Sequence, residues 1–284
     1  MNWQPELYYL PVGFGLAFFI ALIIREKIMN MIAGADFVRP NFRGERIPLA
    51  AGVVFFISTA TAVTPLFLLW TADLREKALL YLMAMAGAAF LGLMDDFWGS
   101  REASGLTGHF KALMRGRLTT GALKALGGGI LALIIGAQLY PGDLWRIMDS
   151  ALIIALSVNL VNLFDLRPGR AGKVFVLLYI ILLPAALGGA EALMATMTLG
   201  ALLAFLPADL KARAMMGDAG SNTLGMVIGL TAAAALEGNY RIGYLTALVI
   251  MHIITEKYSL TRIIADNFML NYLDMLGREK EPER

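Results

Sequence analysis

The sequence predicts an all-α membrane protein, a polytopic transmembrane bundle of about nine to ten helices. Of its 284 residues, 58% are hydrophobic and only 16% are charged, and the mean hydropathy is +0.66. Soluble domains have about 25% charged residues, so this composition excludes an ordinary soluble domain. The chain has no cysteine, which excludes disulfides, thiolate metal sites and a cysteine nucleophile. We predict no nucleic-acid partner.

The individual helices follow from apolar runs of about 17–25 residues, the length that spans a bilayer. Nine runs are found, near 7–29, 48–70, 77–94, 119–140, 148–164, 174–190, 192–207, 222–237 and 242–258. After them, apolar residues at helical spacing predict an amphipathic helix on the membrane surface. This segment is too polar to favour a tenth span. We therefore divide the chain into a transmembrane domain, 1–258, and a cytoplasmic helix and tail, 259–284.

Basic residues set the expected orientation, because cytoplasmic loops are rich in lysine and arginine. On this layout 20 of the 24 basic residues fall on one side, and the other side holds only Arg75, Lys77, Arg146 and Arg241. We expect a multi-pass protein of the cell (inner) membrane, with its N-terminus outside and its C-terminus in the cytoplasm. Three polar motifs also fall at cytoplasmic helix ends, which predicts one active-site face.

The first motif is MDDFWGS, which contains Asp95 and Asp96 at the end of an apolar run. Mg²⁺ binds through one or two carboxylates together with substrate phosphates, so one acid could bind the metal or act as a base. A solvated helix end with two surface acids is the alternative.

The second motif is SVNLVNLFD, in which Asn159, Asn162 and Asp165 recur every three residues. This spacing places them roughly on one helical face, and polar residues within a span are functional candidates. A hydrogen-bonding face between helices is the alternative.

RPGRAGK follows directly and places Arg167, Arg170 and Lys173 on a Pro/Gly turn. Arginine binds phosphate with bidentate geometry, so the turn is a candidate diphosphate site. Ordinary positive-inside charge explains it equally well.

The third motif, MMGDAGSNTLG, offers Asp218 as a hard oxygen ligand and Ser221 at the start of a helix. Helix N-termini bind anions readily, although Asp and Ser also favour plain N-caps. Upstream, HFKALMRGR at 109–117 is basic, and Lys124 lies just inside the next span. An unpaired ammonium there would be costly, so Lys124 should meet a carboxylate or a phosphate.

With these motifs in order, the chain resembles the polyprenyl-phosphate N-acetylhexosamine-1-phosphate transferases. The resemblance implies an Mg²⁺-dependent, often dimeric membrane enzyme that transfers a sugar-1-phosphate from a nucleotide-sugar donor to a polyprenyl phosphate lipid, for cell-wall or surface glycan synthesis. It assigns metal binding to Asp218 and Asn162. It implies catalytic roles for Asp95, Asp96, Lys124 and Asp165, and substrate binding by Asn159, Asn162 and Ser221. Substrate binding by Arg167, Arg170 and Lys173 is predicted from the basic turn itself, not from the resemblance.

Three departures from the family pattern concern the reading of the nucleotide. Pro168 replaces a second acid, Met215 replaces a phenylalanine, and a histidine-rich loop is absent after the last span. A different donor or a weakened activity would follow. The alternative function is a non-catalytic member that binds a lipid-linked sugar or scaffolds a partner enzyme. A transporter is less consistent, since no inverted repeat is evident.

Overall fold

The computed structural model describes residues 6–99 and 119–279. In these ranges the chain forms eleven α-helices and one short hairpin. The helices are α1 (Glu6–Gly34), α2 (Val53–Phe67), α3 (Ala72–Trp98), α4 (Thr120–Leu139), α5 (Leu144–Phe164), α6 (Arg170–Ala186), α7 (Ala190–Leu210), α8 (Gly217–Ala235), α9 (Gly238–Lys257), α10 (Leu260–Asp266) and α11 (Phe268–Met275). The basic segment predicted at 109–117 lies outside the described residues.

The predicted fold class is confirmed, because each of the nine apolar runs has most of its length in a helix of its own. Five helices, α1, α3, α4, α5 and α7, are long and apolar enough to cross a membrane by length and composition. The α2 helix is apolar but shorter. The chain is thus a multi-pass membrane protein, while the number of spans stays a prediction.

A two-stranded hairpin is the element that the sequence did not predict. Strands β1 (Val38–Pro40) and β2 (Arg46–Pro48) pair antiparallel between α1 and α2. The chain just after β2 then pairs with the approach to α8. Met215 N–H donates to Pro48 O at 2.9 Å, and Gly52 N–H donates to Met216 O at 3.0 Å. The hairpin therefore fixes the backbone from which α8 begins.

The centre of the bundle is α8. Every residue from Gly217 to Ala233 is buried except Asp218, and the helix is roughly 28 Å long at 1.5 Å per residue. It packs on α5 with the two backbones in direct contact. A methyl group on Gly225 would lie 2.5 Å from Val158 Cα, and one on Gly229 would lie 2.8 Å from Ile154 Cα. Small and hydroxyl side chains suit α8, since protein surrounds it on all sides.

Polar clusters lie at the two ends of α8. Near its last residues, buried Arg241 pairs with Asp149 and donates to Ser150 Oγ at 2.6 Å. Arg241 also donates to the carbonyl oxygen of Ala233 at 2.5 Å. These bonds satisfy a buried cation and join α5, α8 and α9. The cluster at the other end, around Asp218, holds the predicted site residues.

Candidate active site

Lys124 is the centre of the polar cluster at the start of α8. Its ammonium contacts the carboxylate of Asp218, and Asp95 Oδ2 lies 3.7 Å from Nζ. All three side chains are roughly one-fifth to one-quarter exposed. The expectation that Lys124 meets a carboxylate or a phosphate is thus confirmed, and its partners come from α3 and α8.

Asn162 completes this arrangement from α5. With its amide oxygen facing Lys124, it accepts from Nζ at 2.8 Å and donates to Asp218 Oδ1 at 3.1 Å and to Ser221 Oγ at 3.0 Å. In this orientation the amide oxygen has a donor and the amide nitrogen has acceptors, so the hydrogen-bond network assigns the orientation of the Asn162 amide. We call Asp95, Lys124, Asn162, Asp218 and Ser221 the Lys124 cluster.

Asp96 lies beside the cluster but bonds to backbone. Its two carboxylate oxygens accept from the N–H groups of Asp218 and Ala219, each at 3.0 Å. These are free donors of the first turn of α8, so Asp96 caps that helix from α3. Gly217 has a φ of +66°, and a methyl group there would lie 2.6 Å from Asp96 Oδ2. Glycine is therefore required for this capping contact.

Asp165 follows the last residue of α5 and faces the same acidic region. Burial raises its pKa well above the ordinary value, and the charges of nearby acids add to this. Those acids are Asp209, Asp218 and Asp96, while Lys124 acts in the opposite direction. Asp165 thus lies within the electrostatic field of the cluster.

The three basic residues of the RPGRAGK turn have different surroundings. The Arg167 guanidinium lies 5.6 Å from the centre of the Phe42 ring, and among the described residues it has no acidic partner. Arg170 is buried and makes two bonds to Asp274, at 2.8 and 2.9 Å. Lys173 donates to the carbonyl oxygens of Leu273 and Asp274 at 2.9 and 2.6 Å.

Asn159 is not brought into the Lys124 cluster. It lies one turn before Asn162 on α5, and it is exposed. The spacing of three residues placed it on roughly the same face, but a step of three falls about 60° short of a full helical turn. Its substrate-binding role stays a prediction.

Two acids that matter for the geometry were missed by sequence reasoning. Asp209, near the end of α7, is buried and accepts from Gly169 N–H at 2.8 Å. Asp274 is the buried residue of α11 and binds Arg170. Asp274 gave a weak signal, since it is the one acid in the mostly apolar stretch FMLNYLDM, while Asp209 looked like an ordinary span end.

The donor set around Lys124 suits a hard divalent cation. Two carboxylates and one amide oxygen already surround a positive charge there, and Mg²⁺ prefers such oxygen ligands. Within residues 6–99 and 119–279, no three acidic or histidine side chains form a metal site by themselves. One or two protein carboxylates are sufficient where substrate phosphates complete the coordination, so the residues fit the ion.

Together, the fold and the site define a class: an all-α multi-pass membrane protein with an acidic, lysine-centred site at one end of its bundle. A family model described as "Glycosyl transferase family 4" matches residues 78–236, more than half of the chain. The chain belongs to this family. The match includes Asp95, Lys124, Asn162 and Asp218.

A relative supports the same assignment. Phospho-N-acetylmuramoyl-pentapeptide-transferase of Nautilia profundicola is 29% identical over 259 residues, which cover 79% of this chain and 72% of the relative. The predicted resemblance to the polyprenyl-phosphate hexosamine-1-phosphate transferases is thereby confirmed. The chain is a membrane protein of a transferase family.

Proposed function

We propose that this protein transfers a sugar-1-phosphate from a nucleotide-diphosphate sugar to a polyprenyl phosphate, for cell-wall or surface glycan synthesis. The observation that carries the proposal is the Lys124 cluster, in which side chains of α3, α4, α5 and α8 converge at one end of the bundle. Membership of the family and the activity named for the relative support the same reaction class.

The chemistry is a displacement at phosphorus. An oxygen of the acceptor phosphate attacks the phosphorus that bears the sugar, and the P–O bond to the rest of the diphosphate breaks. A nucleoside monophosphate leaves with that electron pair. Asp95 is our choice to orient the acceptor and to take its proton, because Asp96 is engaged in capping α8. A two-step route through a covalent Asp intermediate is the alternative.

Asp218 and Asn162 are the residues that would hold Mg²⁺. Their oxygens already face a common positive charge, the Lys124 ammonium. A bound Mg²⁺ supplies charge neutralisation at the donor diphosphate. Lys124 binds a phosphate oxygen of the same diphosphate, and Ser221 orients Asn162. The catalytic role of Asp165 stays a prediction.

Arg167 is the residue of the turn that we assign to the donor. It has no acidic partner among the described residues, and it lies on the segment that follows Asp165. An arginine beside a phosphate forms charge-assisted bonds, which are stronger than neutral ones. The Phe42 ring, 5.6 Å away, restricts its position. The predicted donor contacts of Arg170 and Lys173 stay predictions, since both side chains bind α11.

For the orientation in the membrane we propose a cytoplasmic site, with the N-terminus outside and residues 259–284 in the cytoplasm. The charge asymmetry of the loops supports this. In α11, exposed apolar side chains such as Phe268 and Met269 face away from Asp274. Such a helix suits the lipid surface. A homodimer is expected from the resemblance alone.

A non-catalytic member that binds a lipid-linked sugar is the second candidate. One observation favours it: the Lys124 ammonium pairs with Asp218, so the site is partly charge-balanced without a divalent ion. The two candidates differ in whether product is released.

A donor screen tests the proposal. Purified protein is incubated with undecaprenyl phosphate, Mg²⁺ and each of several UDP-sugars, and release of nucleoside monophosphate is measured. The proposal predicts lipid-dependent and Mg²⁺-dependent release with at least one donor, and loss of release in Asp95→Asn. Binding of lipid-linked sugar without any release would favour the second candidate.

A further inference from the structure

The turn between α5 and α6, residues 165–169, is held from two sides. From α7, Asp209 accepts the N–H of Gly169. From the C-terminal segment, Arg278 Nε donates to Pro168 O at 2.7 Å. Gly169 has a φ of +73° and lies against Leu210, so the turn has a conformation and a packing that disfavour other residues. We call Leu260–Arg278 the C-terminal clamp.

The clamp is fixed by charge. Asp274 is 7% exposed and Arg170 is 4% exposed, and two parallel bonds of 2.8 and 2.9 Å join them. Arg170 also donates to Thr261 Oγ1 at 3.2 Å. Arg278 donates to Asp274 Oδ1 at 2.5 Å. A single carboxylate therefore binds two guanidinium groups, and through Arg170 these contacts join α10, α11 and α6.

Lys173, in the first turn of α6, reinforces this contact. Lys173 donates to Leu273 O and Asp274 O, two carbonyl groups in the last turn of α11. Carbonyls there have no partner within the helix, and a cation near them is favourable. The bonds of Arg170 and Lys173 join the clamp to the start of α6, and the bond from Arg278 to Pro168 O joins it to the turn before α6.

We infer that Asp274 is a positioning residue for the transfer reaction: through Arg170 and Arg278 it fixes the turn that carries Asp165 and Arg167. The inference rests on the proposed function. Arg170 is buried, and a buried cation without its partner is costly. When Asp274 is removed, the start of α6 must shift toward water. A displacement of about 1 Å in a reacting group can lower a rate about 100-fold.

A spin label on the turn measures this effect without relying on activity. Because the chain has no cysteine, Leu166→Cys provides a single attachment point, and Leu166 is 61% exposed. Label mobility is compared in the full-length chain and in Asp274→Asn, Asp274→Glu and Asp266→Asn. The last is the matched control, since Asp266 forms an exposed pair with Arg262 on α10. Turnover is measured in the same variants without the cysteine.

We expect Asp274→Asn to make the label more mobile. It should also lower kcat/KM at least about tenfold, because a shifted turn would misplace Asp165 and Arg167 relative to the substrate. Asp274→Glu restores both in part, and Asp266→Asn changes neither. An equally restricted label in Asp274→Asn would overturn the inference, and so would a mobile label with full turnover.

Two further results keep the test decisive. If Asp274→Asn does not fold, Arg170→Met/Asp274→Leu/Arg278→Met removes the buried acid together with both of its guanidinium partners. A label as restricted as in the parent then overturns the inference. If the parent releases no nucleoside monophosphate with any donor, the proposed function fails, while label mobility still decides whether Asp274 holds the turn.

Discussion

Asp96 Oδ1 accepts a 3.0 Å hydrogen bond from the backbone N–H of Asp218, while the carboxylate of Asp218 binds Lys124. Two acids from different helices thus have different surroundings a few ångströms apart. Asp96 is committed to the start of α8, and Asp218 faces the site. The adjacent Asp95 and Asp96 are likewise separated in role, because Asp95 is the one that lies near Lys124.

The first prediction separates capping from chemistry. Asp96→Ala removes two hydrogen-bond acceptors from the first turn of α8. The free energy of unfolding of this variant should therefore be about 1–2 kcal/mol lower than that of the parent, as for other lost helix caps. Asp95→Ala leaves that energy near the parent value but abolishes turnover. Denaturant unfolding in detergent and the release assay give the two quantities. Equal loss of stability in both variants would contradict the assignment.

The second prediction concerns the metal. Asp218→Asn removes the negative charge that attracts a divalent cation, so Mg²⁺-dependent turnover is lost while the fold remains. Turnover is measured across a Mg²⁺ titration, with thermal unfolding in parallel. Asp73→Asn, an exposed acid at the other end of the bundle, serves as the control. If Asp218→Asn retains parental activity at low Mg²⁺, Asp218 only supports the helix start.

The third prediction concerns Arg167. Charge-assisted bonds to phosphate contribute roughly 1.5–3 kcal/mol, and 1.4 kcal/mol corresponds to about tenfold. Arg167→Ala should therefore lower kcat/KM for the donor at least about tenfold, with label mobility at Leu166 unchanged. Arg170→Ala should lower it too, but with a mobile label.

Arg213, an exposed arginine that pairs with Glu26, is the matched control for Arg167. If Arg167 acts because it lies near the donor, and not because it adds to the total charge, Arg213→Ala should keep parental kinetics. If Arg167→Ala and Arg213→Ala both have near-normal kinetics while Asp218→Asn is inactive, Arg167 does not bind the donor. The basic charge of the turn would then serve only to set the orientation of the chain in the membrane. Lys124 would then be the residue that holds the donor phosphates.

The fourth prediction is a pH dependence of the C-terminal clamp. Burial alone would raise the pKa of Asp274, but hydrogen bonds from Arg170 and the charges of Arg278, Arg170 and Lys173 outweigh it and lower the pKa. A lowered carboxyl pKa stabilises the clamp above the unfolded value of about 3.9. This stabilisation is lost as the pH falls through the folded pKa.

Mobility of the Leu166 label should accordingly rise below about pH 4, where the Asp274 carboxylate becomes protonated. Asp274→Asn should be mobile throughout, with no transition of its own. A transition of the parent near neutral pH, or one that persists in Asp274→Asn, would point to a different group.

The fifth prediction concerns orientation. A cytoplasmic reporter fused after Arg284 should be active, and alkaline phosphatase fused at the same point should not be. The charge asymmetry of the loops is the reason. Active alkaline phosphatase at this point would require an additional crossing and would reverse the cytoplasmic assignment of residues 259–284.

The helices were predictable because burial in lipid or protein requires long apolar runs, and each run became one helix. Their ends were less predictable. The eighth run was placed at 222–237, but α8 begins at Gly217, since Asp96 supplies the acceptors that its first turn needs. Likewise α2 begins at Val53, because residues 46–52 pair with β1 and with the approach to α8.

The site was predictable in its residue types and not in its pairings. Spacing and charge indicated that Lys124, Asn162 and Asp218 belong together. No local pattern connects Arg170 with Asp274, which lie 104 positions apart. Such a contact depends on the complete arrangement of helices, and its only trace in the sequence is one acid among apolar residues.

The direct contact of α5 and α8 at Gly225 and Gly229 has a consequence for laboratory evolution. Neither glycine belongs to the Lys124 cluster, yet a single added methyl group would push α5, which carries Asn162, away from α8, which carries Asp218. In a library of random variants, these two positions should therefore tolerate as little change as the polar cluster itself. Adaptation to a new donor would have to come from the turn at 165–169 and from the C-terminal clamp.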